Sequence, residues 1–571
     1  MAAYFWVGGT GTWSGTGNTQ FAVTSGGVAT LLDPTNADTV TFDANSGTAA
    51  TVTVTSTAVS LSTTINKADI NLSLSGSPTL CTAAGTCTLT AGTLTLNTFT
   101  LSTGLFSSSN TNTRVLAFGT GNITLTGVNT TIFNTTTVTG MTLTGTPVVN
   151  CTATTGTSVQ TRTFISGPHG ESQAISVNIN PGTSAVDIFR LATNSGAFKD
   201  VTFSSTFTGT IQISNTIIIY GNFDSGGATV YTGPSTVTFA ATSGTKTIKT
   251  SGLVIDSPIT FSGVGGTWQL QDALTSGATR TCTLTNGTLD LASYTLTTGL
   301  FSSNNTNART IAFGTGNITV TSVSGTVFGG PTSTNTGLTI TGTAQVNVTG
   351  NGVTTRTVNP GNSVATSAPI SFTISAGSDT INSTAGMTFN NLTFTSGFTG
   401  TFGNVTRSIF GNLTLDASIN SFSSGASTLT FTGTGSRTIT TAGETIDCPI
   451  TFNGVGGTWA MQDALTLGST QPLTMTNGTL QLKSGTTNTV GSFATSGTTQ
   501  KFLQATTNGS QATLSQASGT VNATYLTIKD SAATGGAVFN SFTSNANVNS
   551  GNNTGWKFGS ANSAGGFLQF F

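Results

Sequence analysis

Apolar and polar residues alternate along much of the chain with a period of two. Between residues 201 and 213 the apolar side chains all fall on odd-numbered positions, and polar Thr and Ser lie between them. This alternation is typical of β-strands with one buried face, and no helical stripe competes with it. The apolar positions expected to share one face are Val201, Phe203, Phe207, Ile211 and Ile213.

The alternation shifts by one place at single residues, which we interpret as corners. In residues 87–101 it shifts at Gly92 and again at Asn97, two residue types that adopt positive φ at low cost. The predicted inward-facing positions are Cys87, Leu89, Leu94, Leu96, Phe99 and Leu101. Short strands joined by one-residue corners favour an all-β, elongated β-solenoid, whereas the alternative, a tandem β-sandwich array, needs longer hairpin loops.

Two long internal repeats organise the chain. The segment LSTGLFSSSNTNTRVLAFGTGNITLTG begins at Leu101, and LTTGLFSSNNTNARTIAFGTGNITVTS begins at Leu296, an offset of 195 residues (296 − 101). DSPITFSGVGGTW, from Asp256, returns as DCPITFNGVGGTW from Asp447. With about 20 to 25 residues per coil and about 4.8 Å between coils, such a chain would form a rod on the order of 100 Å long. We divide it into an N-terminal capping region (1–76), two repeat units (77–272 and 273–463), and a truncated third unit with a C-terminal cap (464–571).

Composition supports a folded β-structure and disfavours several functions. Only 6% of the residues are charged and the net charge is −1, so no basic stripe is present that could bind nucleic acid. The chain is 35% hydrophobic and has 35 Phe, enough for a core, which disfavours a disordered polymer. The opening residues lack the pattern of a secretory signal, and no run approaches the roughly 18 apolar residues of a membrane span. We therefore expect neither a signal peptide nor membrane insertion.

The cysteines are too few and too scattered to form a disulfide framework. Cys282 matches Cys87 of the first repeat, and Leu473 takes the same place in a third copy, so the position favours a small hydrophobic side chain. We predict free, mostly buried thiols at Cys81, Cys87, Cys151, Cys282 and Cys448. Motifs for zinc, phosphate or calcium binding are not recognisable, and we expect no cofactor.

Catalysis on such a scaffold would need two or three carboxylates in one groove. The offset between Asp38 and Asp43 is odd (43 − 38 = 5), so they would face opposite sides of an uninterrupted strand. His169 lies in a loop with Gly and Pro, where a lone His is typically a solvated turn residue. Turn formation is therefore the favoured interpretation of Asp33, Asp38, Asp43 and Asp447, and the remaining candidate carboxylates are Glu171, near His169, and Glu444, near Asp447.

An aromatic–acidic pair recurs in both repeats. Trp268 is followed by Asp272, and Trp459 is followed by Asp463 at the same spacing. An aromatic ring beside an Asp can form a platform for a sugar or a contact with another subunit. A Trp in a strand flanked by Gly-Gly-Thr more often packs in the core, so packing is favoured and a glycan or subunit contact stays open.

The N-terminal segment carries a motif of its own. YFWVGGTGTW starts at Tyr4, and DPTNADTVTF follows from Asp33. The motif positions are Trp6, Gly8, Gly9, Gly11, Trp13, Pro34, Asp38, Val40 and Phe42. Residues 4–54 resemble the opening of β-solenoid proteins found among bacteriophage tail and virion proteins and among bacterial autotransporter or haemagglutinin-like adhesins. Phe21 stands where such sequences commonly carry another Trp, and the segment around Trp556 is similar to the closing strand of phage tail-associated β-helical proteins.

The resemblance implies a structural virion protein, a tail fibre or tailspike-like β-solenoid, assembled in the host cytoplasm and mediating attachment to the host surface. The motif residues Trp6, Gly8, Gly9 and Trp13 would then face the virion. The resemblance also implies a homotrimer, to which the apolar residues 567–571 would contribute, with other virion proteins and a host-surface glycan or protein as partners. The alternatives are a polysaccharide depolymerase on the same scaffold, a capsid decoration protein and a bacterial adhesin. Because we recognise no set of catalytic residues in the sequence, we do not expect an enzyme.

Overall fold

The fold is a β-solenoid, as the pattern of short strands and corners predicts. Strands make up 50% of the computed structural model and helix 1%, and the strands stack in parallel coils of about 22 turns. This confirms the predicted fold class over the β-sandwich array. By backbone contacts the chain divides into two compact units, Met1–Tyr294 and Thr295–Phe571. The structure describes residues 1–128, 130–153, 159–180, 187–192, 196–329, 337–360, 370–423 and 425–559.

Most strands of the first unit are short, because each coil turns a corner after a few residues. A single 3₁₀-helix, Glu171–Gln173, is present in the part of this unit that the structure describes. The strands are Ala3–Trp6, Gly11–Trp13, Phe21–Ala22, Thr39–Phe42, Thr51–Val54, Ser62–Leu74, Thr86–Thr95, Thr100–Thr103, Leu105–Ser107, Arg114–Ala117, Asn122–Leu125, Thr130–Asn134, Met141–Thr144, Val148–Cys151, Thr161–Ile165, Ile175–Ile179, Ile188–Ala192, Gly196–Phe203, Thr210–Ile213, Ile217–Ile219, Phe223–Asp224, Val230–Thr232, Val237–Phe239, Thr245–Lys249, Val254–Ile255, Ile259–Phe261, Thr267–Leu270, Leu274–Ser276, Thr281–Leu284 and Gly287–Asp290.

The second unit has the same construction, and a 3₁₀-helix, Thr543–Asn545, lies near its end. Its strands are Thr295–Thr298, Leu300–Ser302, Arg309–Ala312, Asn317–Val320, Gly325–Phe328, Leu338–Thr341, Gln345–Val348, Arg356–Val358, Ser371–Ile374, Thr380–Asn382, Met387–Phe389, Leu392–Phe394, Thr401–Phe402, Arg407–Ile409, Leu413–Thr414, Ser421–Phe422, Leu429–Phe431, Gly435–Thr440, Thr445–Ile446, Ile450–Met461, Thr466–Leu467, Pro472–Leu482, Thr487–Val490, Ser492–Thr495, Lys501–Ala505, Ala512–Gln516, Thr520–Asn522, Leu526–Lys529, Ser531–Gly535, Val538–Asn540, Val548–Asn549 and Trp556–Lys557.

Successive coils pair in parallel and in register, so that side chains of similar type lie on top of one another. In the first unit, the rings of Phe106, Phe133 and Phe164 form a column with centroid separations of 5.4 and 4.4 Å. In the second unit, Phe402 stacks on Phe422 with centroids 5.1 Å apart. All five rings are buried, and each such ring pair contributes about 0.5–1.5 kcal/mol beyond the area it buries. Aromatic columns of this kind form much of the core inside each unit.

The internal repeat is visible as repeated elements. The duplicated segments fold into the same order of four short strands, and the first repeat places them in the first unit and the second in the second unit. The corresponding strands are Thr100–Thr103 and Thr295–Thr298, Leu105–Ser107 and Leu300–Ser302, Arg114–Ala117 and Arg309–Ala312, and Asn122–Leu125 and Asn317–Val320.

The predicted corners are present, and the prediction of an inward-facing side chain was wrong at one position. Gly92 has φ +92° and Asn97 has φ +59°, the left-handed conformations that turn the chain onto a new face. Phe99, predicted to point inward, is only half-buried, because it lies in the turn in which its N–H donates to the Leu96 carbonyl (3.0 Å). Inward packing resumes at Leu101. The face predicted between residues 201 and 213 is confirmed as fully buried at Val201, Phe203, Phe207, Ile211 and Ile213.

Candidate functional site

The tryptophan of the second repeat, Trp459, lies in the core. Its indole has no exposed surface, and its ring centroid is 5.2 Å from that of Phe452. The glycines of the GVGGTW block make room for it, since a Cβ on Gly454 or Gly457 would lie 2.8 or 2.7 Å from the edge of the indole ring. The Gly433 carbonyl oxygen would lie closer still to either Cβ, and in the first repeat a Cβ on Gly263 or Gly266 would meet the Ala241 carbonyl. The glycines of the recurring block are therefore needed first for close approach of the preceding coil.

Trp268 occupies the same place in the first repeat. It is fully buried, and its ring centroid is 5.4 Å from that of Phe261. The indole Nε1 atoms of Trp268 and Trp459 are buried without a hydrogen-bond partner. Because neither ring reaches the surface, these two side chains do not offer a platform for a glycan in this conformation, and the structure favours the packing role.

Asp272 and Asp463, the acidic members of the two pairs, stabilise corners of the preceding coil. The backbone N–H groups of Thr250 and Ser251 donate to the Asp272 carboxylate at 2.8 and 2.5 Å, and Ser251 has φ +51°. In the second repeat, Asp463 accepts from the N–H groups of the corner that contains Ala442, where φ is +54°. Charge-assisted hydrogen bonds to a left-handed corner offset the cost of that backbone conformation.

The N-terminal motif builds an aromatic cap. Trp6 and Trp13 are fully buried, and together with Phe21 and Phe42 they form a cluster with ring centroids 5.2 to 5.9 Å apart. The indole of Trp6 donates to the carbonyl of Gly9 (3.1 Å). The pair of strands that contains this motif, Ala3–Trp6 and Phe21–Ala22, is antiparallel.

The aromatic cap accounts for the glycine at position 8, and its antiparallel strand closes the edge of the sheet. A Cβ on Gly8 would lie 2.7 Å from the Gln20 side chain, so the glycine is needed for close packing. The antiparallel strand Phe21–Ala22 covers one side of the strand Ala3–Trp6, which pairs on its other side with Thr39–Phe42. Closing a sheet edge in this way prevents uncontrolled pairing with other chains.

The three N-terminal carboxylates all accept hydrogen bonds. Asp38 accepts from the N–H of Ala2 (2.9 Å) and from the Thr35 hydroxyl (2.6 Å), and this hydroxyl, followed by the Ala2 N–H, holds the pKa of Asp38 below its usual value. Asp33 accepts from the N–H of Asn18 (3.0 Å), which is the main cause of its lowered pKa. Asp43 accepts from the N–H of Asn45 (2.9 Å). The bonds from Thr35 to Asp38 and from Asn45 to Asp43 are local and support the turn-forming interpretation, whereas Asp33 joins two segments that are 15 residues apart.

Two of the three carboxylates near the repeat boundaries, Asp256 and Asp447, have side-chain partners. Asp256 forms an ion pair with Arg280 (2.8 Å), which lowers the pKa of Asp256. Its counterpart Asp447 accepts from the Gln471 side chain (3.2 Å). Glu444, two residues before Ile446, is half-buried. Among the residues that the structure describes, His, Cys, Asp and Glu side chains form no group of three that could hold a metal ion.

His169 differs from the sequence-based expectation of a solvated turn residue. It is only 5% exposed, its Nε2 has no hydrogen-bond partner, and burial, with the nearby Arg114 charge, lowers its pKa to about 4. The loop is held against the coil because the Ser166 hydroxyl donates to the Ala197 carbonyl (2.8 Å). Glu171 accepts from the Thr242 hydroxyl (2.5 Å). His169 is therefore a buried neutral side chain.

Buried arginines are the polar feature that sequence reasoning missed. Arg162 pairs with Asp187 (3.0 Å) and Arg356 with Asp379 (2.7 Å), and all four side chains have no exposure. The signal was available, because each Arg lies in the TRT triplet that recurs in both repeats. An Arg at an inward strand position of a chain with so few charges indicates a buried ion pair.

Polar ladders run along the outside of the stacked coils. In the first unit, Asn150 donates to Asn122 (3.1 Å) and Asn178 donates to Asn150 (2.9 Å). In the second unit, Asn347 donates to Asn317 (3.3 Å). Register also aligns outward-facing Thr and Ser along the second unit, at Thr388, Ser408, Thr430, Thr451 and Thr474. These ladders present amides and hydroxyls, and on the face that carries Asn178 the Ser176 hydroxyl also donates to the Asp200 carboxylate (3.0 Å).

The chain matches no protein-family model, no curated protein and no solved structure. Within the described part of the chain, helices reach neither the length nor the hydropathy needed to cross a membrane.

Proposed function

We propose that the protein is a structural component of a bacteriophage particle, a tail fibre or spike that attaches the particle to the host surface. The observation that supports this most is a repeat-built β-solenoid whose outer faces carry ladders of Asn and Thr. Stacked coils give mechanical stiffness, and uncharged amides and hydroxyls suit a ligand rich in hydroxyl groups, such as a surface glycan.

In this proposal attachment depends on many weak contacts. Each coil adds a similar set of polar groups, and a homotrimer multiplies them, so that avidity exceeds the affinity of any single contact. The N-terminal region, with its aromatic cap at Trp6 and Trp13, would lie against other virion proteins. Residues 567–571, on which the prediction of a trimer partly depends, lie outside the described residues.

Electron microscopy of the particle that carries this chain tests the proposal. Gold-labelled antibodies raised against the purified chain should bind the tail or its fibres, and antibodies absorbed beforehand with the chain should not. Label on the capsid would favour a decoration protein, and label on bacterial cells an adhesin, and either result would overturn the assignment.

Two solution measurements complete the test. Light scattering should give three times the chain mass of 57.4 kDa, and a single-chain mass would exclude the homotrimer. Adding the purified chain should slow particle adsorption to host cells. Release of reducing ends from host polysaccharide would instead identify a depolymerase, and the same assay with heat-denatured protein is its control.

A further inference from the structure

Two buried cysteines lie on one coil of the first unit. Cys81 and Cys87 are both fully buried and are not joined by a disulfide. Cys81 pairs in parallel with Ser60 of the preceding coil, and Cys87 pairs with Thr63 of the same coil. The two thiols therefore stand directly above two hydroxyls.

The distance between the two hydroxyls indicates how close the two stacked pairs of side chains, Ser60 with Cys81 and Thr63 with Cys87, lie to each other. The Ser60 and Thr63 oxygens are 2.8 Å apart, and the Cys81 sulfur is 3.9 Å from the Ser60 oxygen. Because parallel in-register stacking preserves the sideways spacing from coil to coil, the thiols face one another as the hydroxyls do. The Cys87 thiol, followed by the hydroxyls around it, lowers the pKa of Cys81 to about 7.

A surface cavity lies close to this pair, although neither cysteine lines it. A surface cavity of about 250 Å³ is lined by Ser60 and by Thr82, the residue next to Cys81. Ala83 and Ala84, in the turn between the cysteines, are exposed. A modest opening of this turn would bring the Cys81 sulfur into contact with solvent.

The second repeat supplies an internal comparison. Cys282 corresponds to Cys87, and Ser276 stands at the position that corresponds to Cys81, with the same spacing of six residues. Ser276 and Cys282 are both buried. Burial raises the pKa of Cys282 to about 12, and it has no neighbouring thiol at the equivalent position. The first repeat alone therefore has a pair of thiols at this corner.

We propose that Cys81 and Cys87 form a reversible disulfide within one coil, a redox modification site. The Cys81 thiolate attacks one sulfur of a small-molecule disulfide such as oxidised glutathione and releases one glutathione thiolate. The Cys81 thiol, together with burial, raises the pKa of Cys87 in the reduced pair. Cys87 then attacks the mixed disulfide at the Cys81 sulfur, and its proton goes to the departing second glutathione, which leaves as a thiol. Two protein thiols are oxidised, and one glutathione disulfide is reduced to two thiols.

The product would close the turn that contains Ala83 and Ala84 covalently. A disulfide reduces the conformational entropy that the residues between the two cysteines would gain on unfolding. The oxidised coil should therefore unfold locally less often than the reduced coil. Hydrogen exchange of the N–H groups in the strand Thr86–Thr95 should slow on oxidation and recover on reduction.

Mass spectrometry of the full-length protein tests the proposal. Oxidised glutathione is added to the folded chain, remaining thiols are alkylated in denaturant, and trypsin is applied. Residues 68–114 form one tryptic peptide that contains Cys81 and Cys87, and residues 281–309 form another that contains Cys282. We expect the first peptide to carry no alkyl group and to be about 2 Da lighter than its dithiol form, while Cys282 is alkylated. Dithiothreitol should reverse the change.

Several results would overturn the proposal. They are a first peptide with both cysteines alkylated, a stable glutathione adduct on Cys81 of the unmodified chain, or equal oxidation of Cys282. The variant Cys87→Ser should stop at the adduct on Cys81, and Cys81→Ser should leave Cys87 alkylated. Ser276→Cys should create a second pair that links peptides 250–280 and 281–309. If circular dichroism shows that a variant does not fold, the alkylation pattern of the unmodified chain by itself decides whether the proposal holds.

Discussion

Two buried arginines of the second unit are accommodated in different ways. Arg356 binds Asp379 through two hydrogen bonds of 2.7 and 2.8 Å, and its remaining nitrogen donates to the Gly350 carbonyl. Among the residues that the structure describes, no carboxylate pairs with Arg407. Its guanidinium lies 3.8 Å from the centroid of the Phe402 ring, one nitrogen donates to the Gly403 carbonyl (2.6 Å), and its Nε and Nη1 atoms have no partner.

One position in the next coil accounts for the difference. Arg356 pairs in register with Ile381, and Asp379 comes two residues before that partner. Arg407 pairs with Leu429, and Ser427 comes two residues before it. At these two positions the buried cation lies either beside a carboxylate or above an aromatic ring, and the residue two places before the register partner differs between them. Arg114 of the first unit shows a third arrangement, in which the Ser108 hydroxyl and backbone carbonyls accept from the buried guanidinium. Burial lowers the pKa of Arg407 to about 9, as expected for a cation without a carboxylate partner.

The largest effect is expected from removing the carboxylate. Asp379→Asn leaves Arg356 buried and unpaired, and we expect the free energy of unfolding to fall by about 3–5 kcal/mol. Because a repeat array can open one coil at a time, hydrogen exchange in the strands Arg356–Val358 and Thr380–Asn382 should be measured together with denaturant unfolding.

An exposed ion pair provides the control for that measurement. Asp224 lies 3.5 Å from Lys249, with side chains 33% and 51% exposed. Asp224→Asn should change stability by less than about 1 kcal/mol. Equal losses in the two variants would show that burial does not govern the strength of these pairs.

His169 extends the comparison to a buried base that stays neutral. Its pKa is about 4 in the folded chain, against 6.5 unfolded, so below pH 6.5 the unfolded chain binds the proton first. Stability should therefore be complete above pH 6.5 and fall by roughly 3 kcal/mol as pH falls to 4. Denaturant unfolding at pH 7, 6 and 5 measures the slope.

The chain provides a clear control for this titration, because His169 is its one histidine. His169→Gln should flatten the stability profile between pH 7 and 5, where carboxylates have hardly begun to titrate. A profile that keeps its slope in the variant would assign the pH dependence to other groups.

Replacing the unpaired cation should stabilise the second unit. Arg407→Met removes a buried charge that has no carboxylate, and we expect the free energy of unfolding to rise by about 2 kcal/mol. The same substitution at the paired site, Arg356→Met, leaves Asp379 buried alone and should be destabilising. Opposite signs in thermal unfolding would support the comparison, and a loss of stability in both variants would contradict it.

The smallest effect concerns the ring beneath Arg407. Phe402 and Phe422 are both buried and stack on each other, yet only Phe402 lies under the guanidinium. Phe402→Leu should therefore cost about 1 kcal/mol more than Phe422→Leu, since it also loses a desolvated cation–π contact. Equal costs in denaturant unfolding would mean that the ring contributes packing alone.

Several local features were predicted correctly from the sequence. The positive φ at Gly92 and Asn97 and the burial of the five cysteines are borne out. Phe99 and His169 were predicted wrongly, Phe99 because it lies in a local turn closed by its N–H to the Leu96 carbonyl, and His169 because its loop is held against another coil through Ser166 and Ala197. The packing role of Trp459 was open until the surrounding glycines were located in space.

The period of two, the one-residue corners and the long repeats are local properties, set by the direction of successive side chains and by the φ values each residue tolerates. They were enough to determine a β-solenoid. Which side chains meet from one coil to the next is a different matter. Arg356 and Asp379 are 23 residues apart, and their contact depends on the exact length of every turn between them. The stacking register, which no local pattern encodes, decided which buried charges found partners.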